Sequence, residues 1–199
     1  MTYLTKIAGE LFVFHKFDRS FLRATLGLAV ILFIGSGGPQ AIAAENPTSA
    51  GEVGAISSVA GVSISPKADK KTRAIAQAQP SAVAATANVC GPGYNLYSAE
   101  RLPDDRRFAT LFVYANGGYG PDNTMCAILD NNVGTAKWMK VSVCENKTDN
   151  PRCSTDQGIY SQYAGPVYMS NCAKVTALMK YQPSSTTYLV DAVRGSFCN

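Results

Sequence analysis

Phe108–Ala115 reads Phe-Ala-Thr-Leu-Phe-Val-Tyr-Ala, and both of its alternating faces are largely apolar. At a period of two, Phe108, Thr110, Phe112 and Tyr114 share one face, and Ala109, Leu111, Val113 and Ala115 the other. A strand with two apolar faces is read as a central, buried one. Two further runs alternate. In Ala136–Cys144, Met139, Val141 and Val143 oppose Trp138, Lys140 and Ser142, the pattern of a half-buried strand. In Tyr188–Phe197, Tyr188, Val190 and Ala192 oppose Leu189, Asp191 and Val193. Turn formers separate these runs: Asn116-Gly-Gly118, Gly120-Pro-Asp-Asn123, Asp130-Asn-Asn132 and Gln182-Pro-Ser-Ser185. Short strands at this spacing predict an all-β fold, either a small sandwich or a barrel.

All six cysteines, Cys90, Cys126, Cys144, Cys153, Cys172 and Cys198, lie in this part of the chain. An even count in a small domain reads as a disulfide framework formed in an oxidising compartment. Spacing alone does not define the connectivity, but strand geometry ranks the pairings. Cys144 and Cys153 flank a polar loop and would staple a hairpin. Cys172 opens one strand and Cys198 closes the next, so antiparallel pairing brings them together. Cys90 and Cys126 precede the first and third strands of a meander, at the same end of the sheet. The favoured set is therefore 90–126, 144–153 and 172–198.

Outward from the domain, the chain changes character. Ala24–Gly35 is an unbroken run of twelve mostly apolar residues after Lys6, Lys16, Arg19 and Arg23, and Ala41-Ile-Ala43 follows. Basic, apolar, then small is the order of a secretory signal, and the run is shorter than the roughly 20 residues that span a bilayer. Residues 1–43 are read as a signal peptide, with no stable membrane span after its cleavage. Residues 44–87 are rich in Ala, Ser, Val and Gly and contain no aromatic residue. Without large side chains such a segment offsets little of its ordering entropy, so it is read as a disordered linker or propeptide. Its basic cluster Lys67–Arg73 is read as solvated, or as a processing site. Residues 88–199 are the expected disulfide-stapled β domain.

Charge and residue chemistry exclude more than they assign. The chain of 199 residues has 18 basic and 14 acidic groups. Leaving out the signal, with its four basic residues and Glu10 and Asp18, the remainder carries about +2, too little to argue for nucleic acid. The one histidine is His15, inside the expected signal, so histidine-based triads are excluded from the mature chain. No Gly-rich phosphate loop and no Ser-x-x-Lys motif is present. A carboxylate hydrolase would need two of Asp104, Asp105, Asp122, Asp130, Asp156 and Asp191 to face each other. Asp104-Asp105 before Arg106-Arg107 reads as a solvated turn, and the Asp/Asn turns at 120–123 and 130–132 as turn chemistry rather than calcium sites. No catalytic residue, metal ligand or cofactor is assigned. The candidate ligand-facing residues are Tyr160, Tyr163 and Tyr168, which as an exposed platform would stack on sugar rings. The Glu145–Arg152 loop could present itself to a protease, and Asn146-Lys-Thr148 matches a glycosylation acceptor pattern.

Cys90-Gly-Pro-Gly-Tyr94, the strand ending in Tyr114, Cys126, the run Tyr163-Ala-Gly-Pro-Val167, Cys172 and Cys198 together resemble the spore-associated protein A family, over residues 88–199. Cys144 and Cys153 would be an added bridge, and Ala173-Lys-Val175 stands where that family suggests a Val-x-Trp run. The resemblance implies a small secreted protein of filamentous bacteria, extracellular or on the spore surface, with no established enzymatic activity. The expectation is thus a secreted, non-enzymatic surface protein whose partner is cell-wall or spore-surface material. The alternatives are a carbohydrate-binding module using the three tyrosines, a carboxylate-based hydrolase and a protease inhibitor.

Overall fold

The computed structural model describes residues 56–104, 106–117, 124–170 and 172–195. A short hairpin, β1 (Ser58–Val59) and β2 (Val62–Ser63), leads into two helices, α1 (Lys70–Ala78) and α2 (Pro80–Cys90). Eight strands follow: β3 (Tyr94–Leu102), β4 (Ala109–Asn116), β5 (Thr124–Asn131), β6 (Lys137–Glu145), β7 (Cys153–Tyr160), β8 (Tyr163–Ser170), β9 (Ala173–Lys180) and β10 (Tyr188–Arg194). They form two four-stranded antiparallel sheets, β3-β4-β5-β8 and β10-β9-β6-β7. The fold is a β-sandwich, mostly β as the alternation predicts. The predicted central strand is β4, one residue offset, and its faces from Ala109 on are those read from sequence; Phe108, just before the strand, packs against the cluster between the sheets instead of joining Phe112 and Tyr114.

The sandwich is fastened at both margins. On one side the chain passes from β7 in the second sheet to β8 in the first through Ser161-Gln162. Asn131 holds that corner, donating its backbone N–H to the Gln162 carbonyl at 2.6 Å and its side-chain Nδ2 to the Tyr160 carbonyl at 3.1 Å. On the other side Arg194 of β10 grips Glu100 of β3, Nε to Oε2 at 2.5 Å and Nη2 to Oε1 at 2.8 Å. A two-pronged guanidinium–carboxylate pair fixes orientation as well as distance.

The inner faces pack as expected. Leu111, Val113, Ala127 and Leu129 of the first sheet meet Met139, Val141, Val175 and Met179 of the second in one buried cluster. A second cluster lies on the outer face of the first sheet, where Ile64, Ile75 and Val83 cover Leu96, Phe112, Tyr114 and Ile128. That cover comes from the segment expected to be a disordered linker. Residues 58–87 are instead folded onto the sheet, so the domain begins well before residue 88, while 44–55 lie outside the described residues. The physical reason is that burial is a property of both partners. The segment supplies only small and medium side chains, but the sheet supplies the large ones, and Ala76 and Ala87 leave room for the helices.

Local chemistry builds this cover. Asp69 caps α1, accepting from the Thr72 N–H at 2.6 Å. Thr72 Oγ1 in turn accepts from the Ala99 N–H of β3 at 3.1 Å. Pro80 opens α2, whose buried stripe is Val83, Thr86, Ala87 and Cys90, spaced for one helical face. Tyr114 OH lies 2.6 Å from Thr86 Oγ1 and 3.0 Å from the Val83 carbonyl, and burial pushes this phenol's pKa up. The basic cluster is not simply solvated. Arg73 donates to the carbonyls of Ile56, Ser65, Pro66 and Ala68, tying the hairpin arm to α1.

Cys90 at the end of α2 is bonded to Cys126 of β5, which locks the helical cover to the sheet. Cys144 and Cys153, directly opposite each other on β6 and β7, form the second bridge. Cys172 is also disulfide-bonded, and Cys198, the partner favoured by strand geometry, lies outside the described residues. Two such bridges suit an oxidising, extracellular-type environment. No helix among the described residues is long and apolar enough to cross a membrane. The signal expected at 1–43 also lies outside the described residues.

Candidate functional site

Tyr160, Tyr163 and Tyr168 do not form the platform that the sequence suggested. Tyr160 OH donates to Asp156 Oδ1 at 2.6 Å, and this bond pushes the phenol up to about 12. Its ring packs against the core between the sheets. Tyr163 packs against the helix-side cluster. Tyr168 is 39 % exposed, but its OH lies 3.3 Å from the carbonyls of Val89 and Cys90, and its ring is tilted by 55° against Tyr94.

A bulge and a sheet crossing set their positions. Ala164 pairs with Leu129 and Val167 with Ala127, so Gly165-Pro166 stands opposite the single residue Ile128. Gly165 has φ +108°, and a side chain there would meet the Ala127 carbonyl at 2.8 Å. Its N–H is held by Asp156 Oδ2 at 2.7 Å. The bulge puts Tyr163 and Tyr168 on one face, yet opposite Asp130 and Cys126, about 13 Å apart along β5. Tyr160 is on the other sheet.

The carboxylates are equally dispersed. Asp104 accepts from the Arg106 N–H and guanidinium in an exposed turn, which holds its carboxyl below the usual range. Asp130 sits on the outer face of the first sheet beside Thr110, and burial pushes it up to about 6. Asp156 fastens the bulge, and Asp191 is exposed on β10. Asp105 and Asp122 lie outside the described residues. At the 130–132 turn the asparagines bond to protein: Asn131 to the Thr135 carbonyl and the Val133 N–H, Asn132 to Thr110. No group of three or more His, Cys, Asp or Glu among the described residues could hold a metal ion. The Glu145–Arg152 loop is braced at its base, where Glu145 takes the Arg152 N–H at 3.0 Å and Lys147 Nζ at 2.6 Å. These bonds, Arg152 foremost, hold the Glu145 carboxyl down at about 2.

One surface gathers aromatic and cationic groups instead: the outer face of β10-β9-β6-β7, on which neither described helix is packed. Residues alternating with the buried Met139, Val141 and Val143 point outward from β6. Register then builds a row across four strands, Ile159 on β7, Trp138 on β6, Lys180 on β9 and Tyr188 on β10. Lys180 Nζ lies 5.3 Å from the Trp138 ring centre and 4.4 Å from that of Tyr188, a cation held between two aromatic faces. Tyr181, just past the end of β9, is 61 % exposed but lies apart from this row, with the Nζ of Lys137, on the inward side of β6, 5.7 Å from its ring centre. The following row is Gln157, Lys140, Leu178 and Asp191. Trp138 and Lys140 were legible as outward residues from alternation alone. Lys180 and Tyr188 are joined to them only by strand register: alternation sets Tyr188 with Val190 and Ala192, but a register shift after Tyr188 turns it outward while those two are buried.

Compared with known proteins, the chain matches no family model, no curated protein and no solved structure.

Proposed function

We propose that this protein is a secreted, non-enzymatic module of the cell or spore surface that holds a carbohydrate polymer across the open face of its second sheet. The observation that carries this reading is the Trp138–Lys180–Tyr188 row, on a face that the described helices leave uncovered. Aromatic rings fixed on a sheet face, here one on each side of Lys180, present flat apolar surfaces, and sugar rings stack on such surfaces while their hydroxyls stay hydrated. Dispersed carboxylates support binding over hydrolysis. The bridges support a life outside the cell, and the resemblance of residues 88–199 to the spore-associated protein A family points the same way.

Trp138 is the chain's single tryptophan, so intrinsic fluorescence reports directly on the site. Addition of solubilised wall polysaccharide should shift and saturate the emission. Trp138→Ala and Tyr188→Ala should each reduce retention on insoluble wall material at least several-fold. Undiminished retention of both variants, with no change in emission, would remove the open face as the site.

A further inference from the structure

The geometry points to an anionic polysaccharide as the ligand of this face, a refinement that rests on the reading above. Lys140, Lys174 and Lys180 project from the face, and Asp191 is the single acidic residue on its central rows. Elsewhere on the domain several arginines are already engaged: Arg73 with backbone carbonyls, Arg106 with Asp104, Arg152 with Glu145, Arg194 with Glu100. Lys140 and Lys174 have no ion-pair partner among the described residues. Unpaired positive charge therefore lies beside the aromatic row, on a face with a single carboxylate on its central rows.

Its layout favours a linear polymer. Lys174 and Lys180 are six residues apart on β9, about 20 Å along the strand, with Lys140 on the neighbouring strand between them. Thr176 and Leu178 form a low track along the same line. A chain laid along β9 would stack a sugar at the Trp138–Tyr188 end and meet lysines along its length. Lysines act as hydrated point charges and suit acid groups repeated along a flexible polymer, whereas arginine is the residue for planar, two-pronged recognition.

The test uses sodium polygalacturonate, its fully methyl-esterified form, which keeps the backbone and masks the charge, and a dT oligonucleotide, all followed by Trp138 fluorescence. Polygalacturonate should bind, weaken as salt is raised, and lose about tenfold in affinity in the Lys140→Ala/Lys174→Ala variant. The ester should bind at least tenfold more weakly than the acid. Lys174→Glu, an exposed single change, should weaken binding further than Lys174→Ala while leaving the unfolding midpoint unchanged. Equal, salt-insensitive binding of acid and ester would overturn the anionic assignment and leave the carbohydrate reading standing. Tighter binding of the oligonucleotide than of polygalacturonate would overturn it in favour of nucleic acid. Failure of all three probes, with wall retention indifferent to Trp138→Ala, would remove both readings.

Discussion

On β4 of the first sheet, Phe112 and Tyr114 point away from the second sheet and are completely buried. On β6 of the second sheet, Trp138 and Lys140 point away from the first and remain partly exposed. The inner faces of the two sheets are alike; the outer faces have opposite fates. One is roofed by the hairpin arm and two helices, and its tyrosine hydroxyl is matched to Thr86 and the Val83 carbonyl. The other carries its aromatics beside a lysine, with the Lys180 ammonium set over the rings of Trp138 and Tyr188. Aromatic residues thus serve stability where the chain covers them, and are available to a ligand where it does not.

That contrast can be broken most sharply at Phe112. Phe112→Ala, which removes a fully buried ring beneath the helical cover, should cost about 3–5 kcal/mol in denaturant unfolding. A loss near zero would mean the cover contributes little. Removing the tether, as Cys90→Ala with Cys126→Ala, should cost about 2–4 kcal/mol by the same measurement. Protection from hydrogen exchange should then fall first in α2, leaving β6 and β9 as before.

Asp130 offers a subtler comparison, read through pH. Its folded pKa of about 6 lies above the ordinary unfolded value, so its ionised form opposes folding. That cost is present above pH 6 and disappears as pH falls through 6 towards 4; acidification stabilises the fold through this group. Discounted for partial solvent screening, Asp130→Asn should gain about 1 kcal/mol at pH 7 and nothing near pH 4. Glu145 acts in the opposite sense: held at about 2, it supports the loop above its unfolded pKa, and that support is lost as pH falls from about 4.5 towards 2. A pH–stability profile of wild type and Asp130→Asn that coincide throughout would refute the burial assigned to Asp130.

The smallest expected effect is on the open face. Trp138→Ala should lower stability by about 1 kcal/mol or less, because the face has no second layer to collapse, while abolishing most polymer binding. A loss comparable to Phe112→Ala would place Trp138 in the core rather than at a surface.

Much of the sandwich was legible beforehand. The faces of β4 and β6 follow from alternation, and the Cys90–Cys126 and Cys144–Cys153 pairs follow from strand order. The segment before residue 88 was misread because its composition was weighed alone, without Phe112 and Tyr114 as its partners. The tyrosines of 160–168 make no platform because the crossing between sheets puts Tyr160 on the other sheet, and Tyr163 and Tyr168, which the bulge turns to one face, stand four positions apart along β5.

The sequence by itself determined the all-β class, the two sides of β4 and β6 and two of the cysteine pairings, since the two-residue repeat of an extended backbone is a local property; in β10 a register shift after Tyr188 turns that ring away from the face it shares by alternation with Val190 and Ala192. Only the tertiary structure decided which outer face is roofed, where the tyrosines point and that Lys180 stands between Trp138 and Tyr188. Those outcomes depend on register and on contacts between residues far apart in the chain, and no local periodicity encodes them.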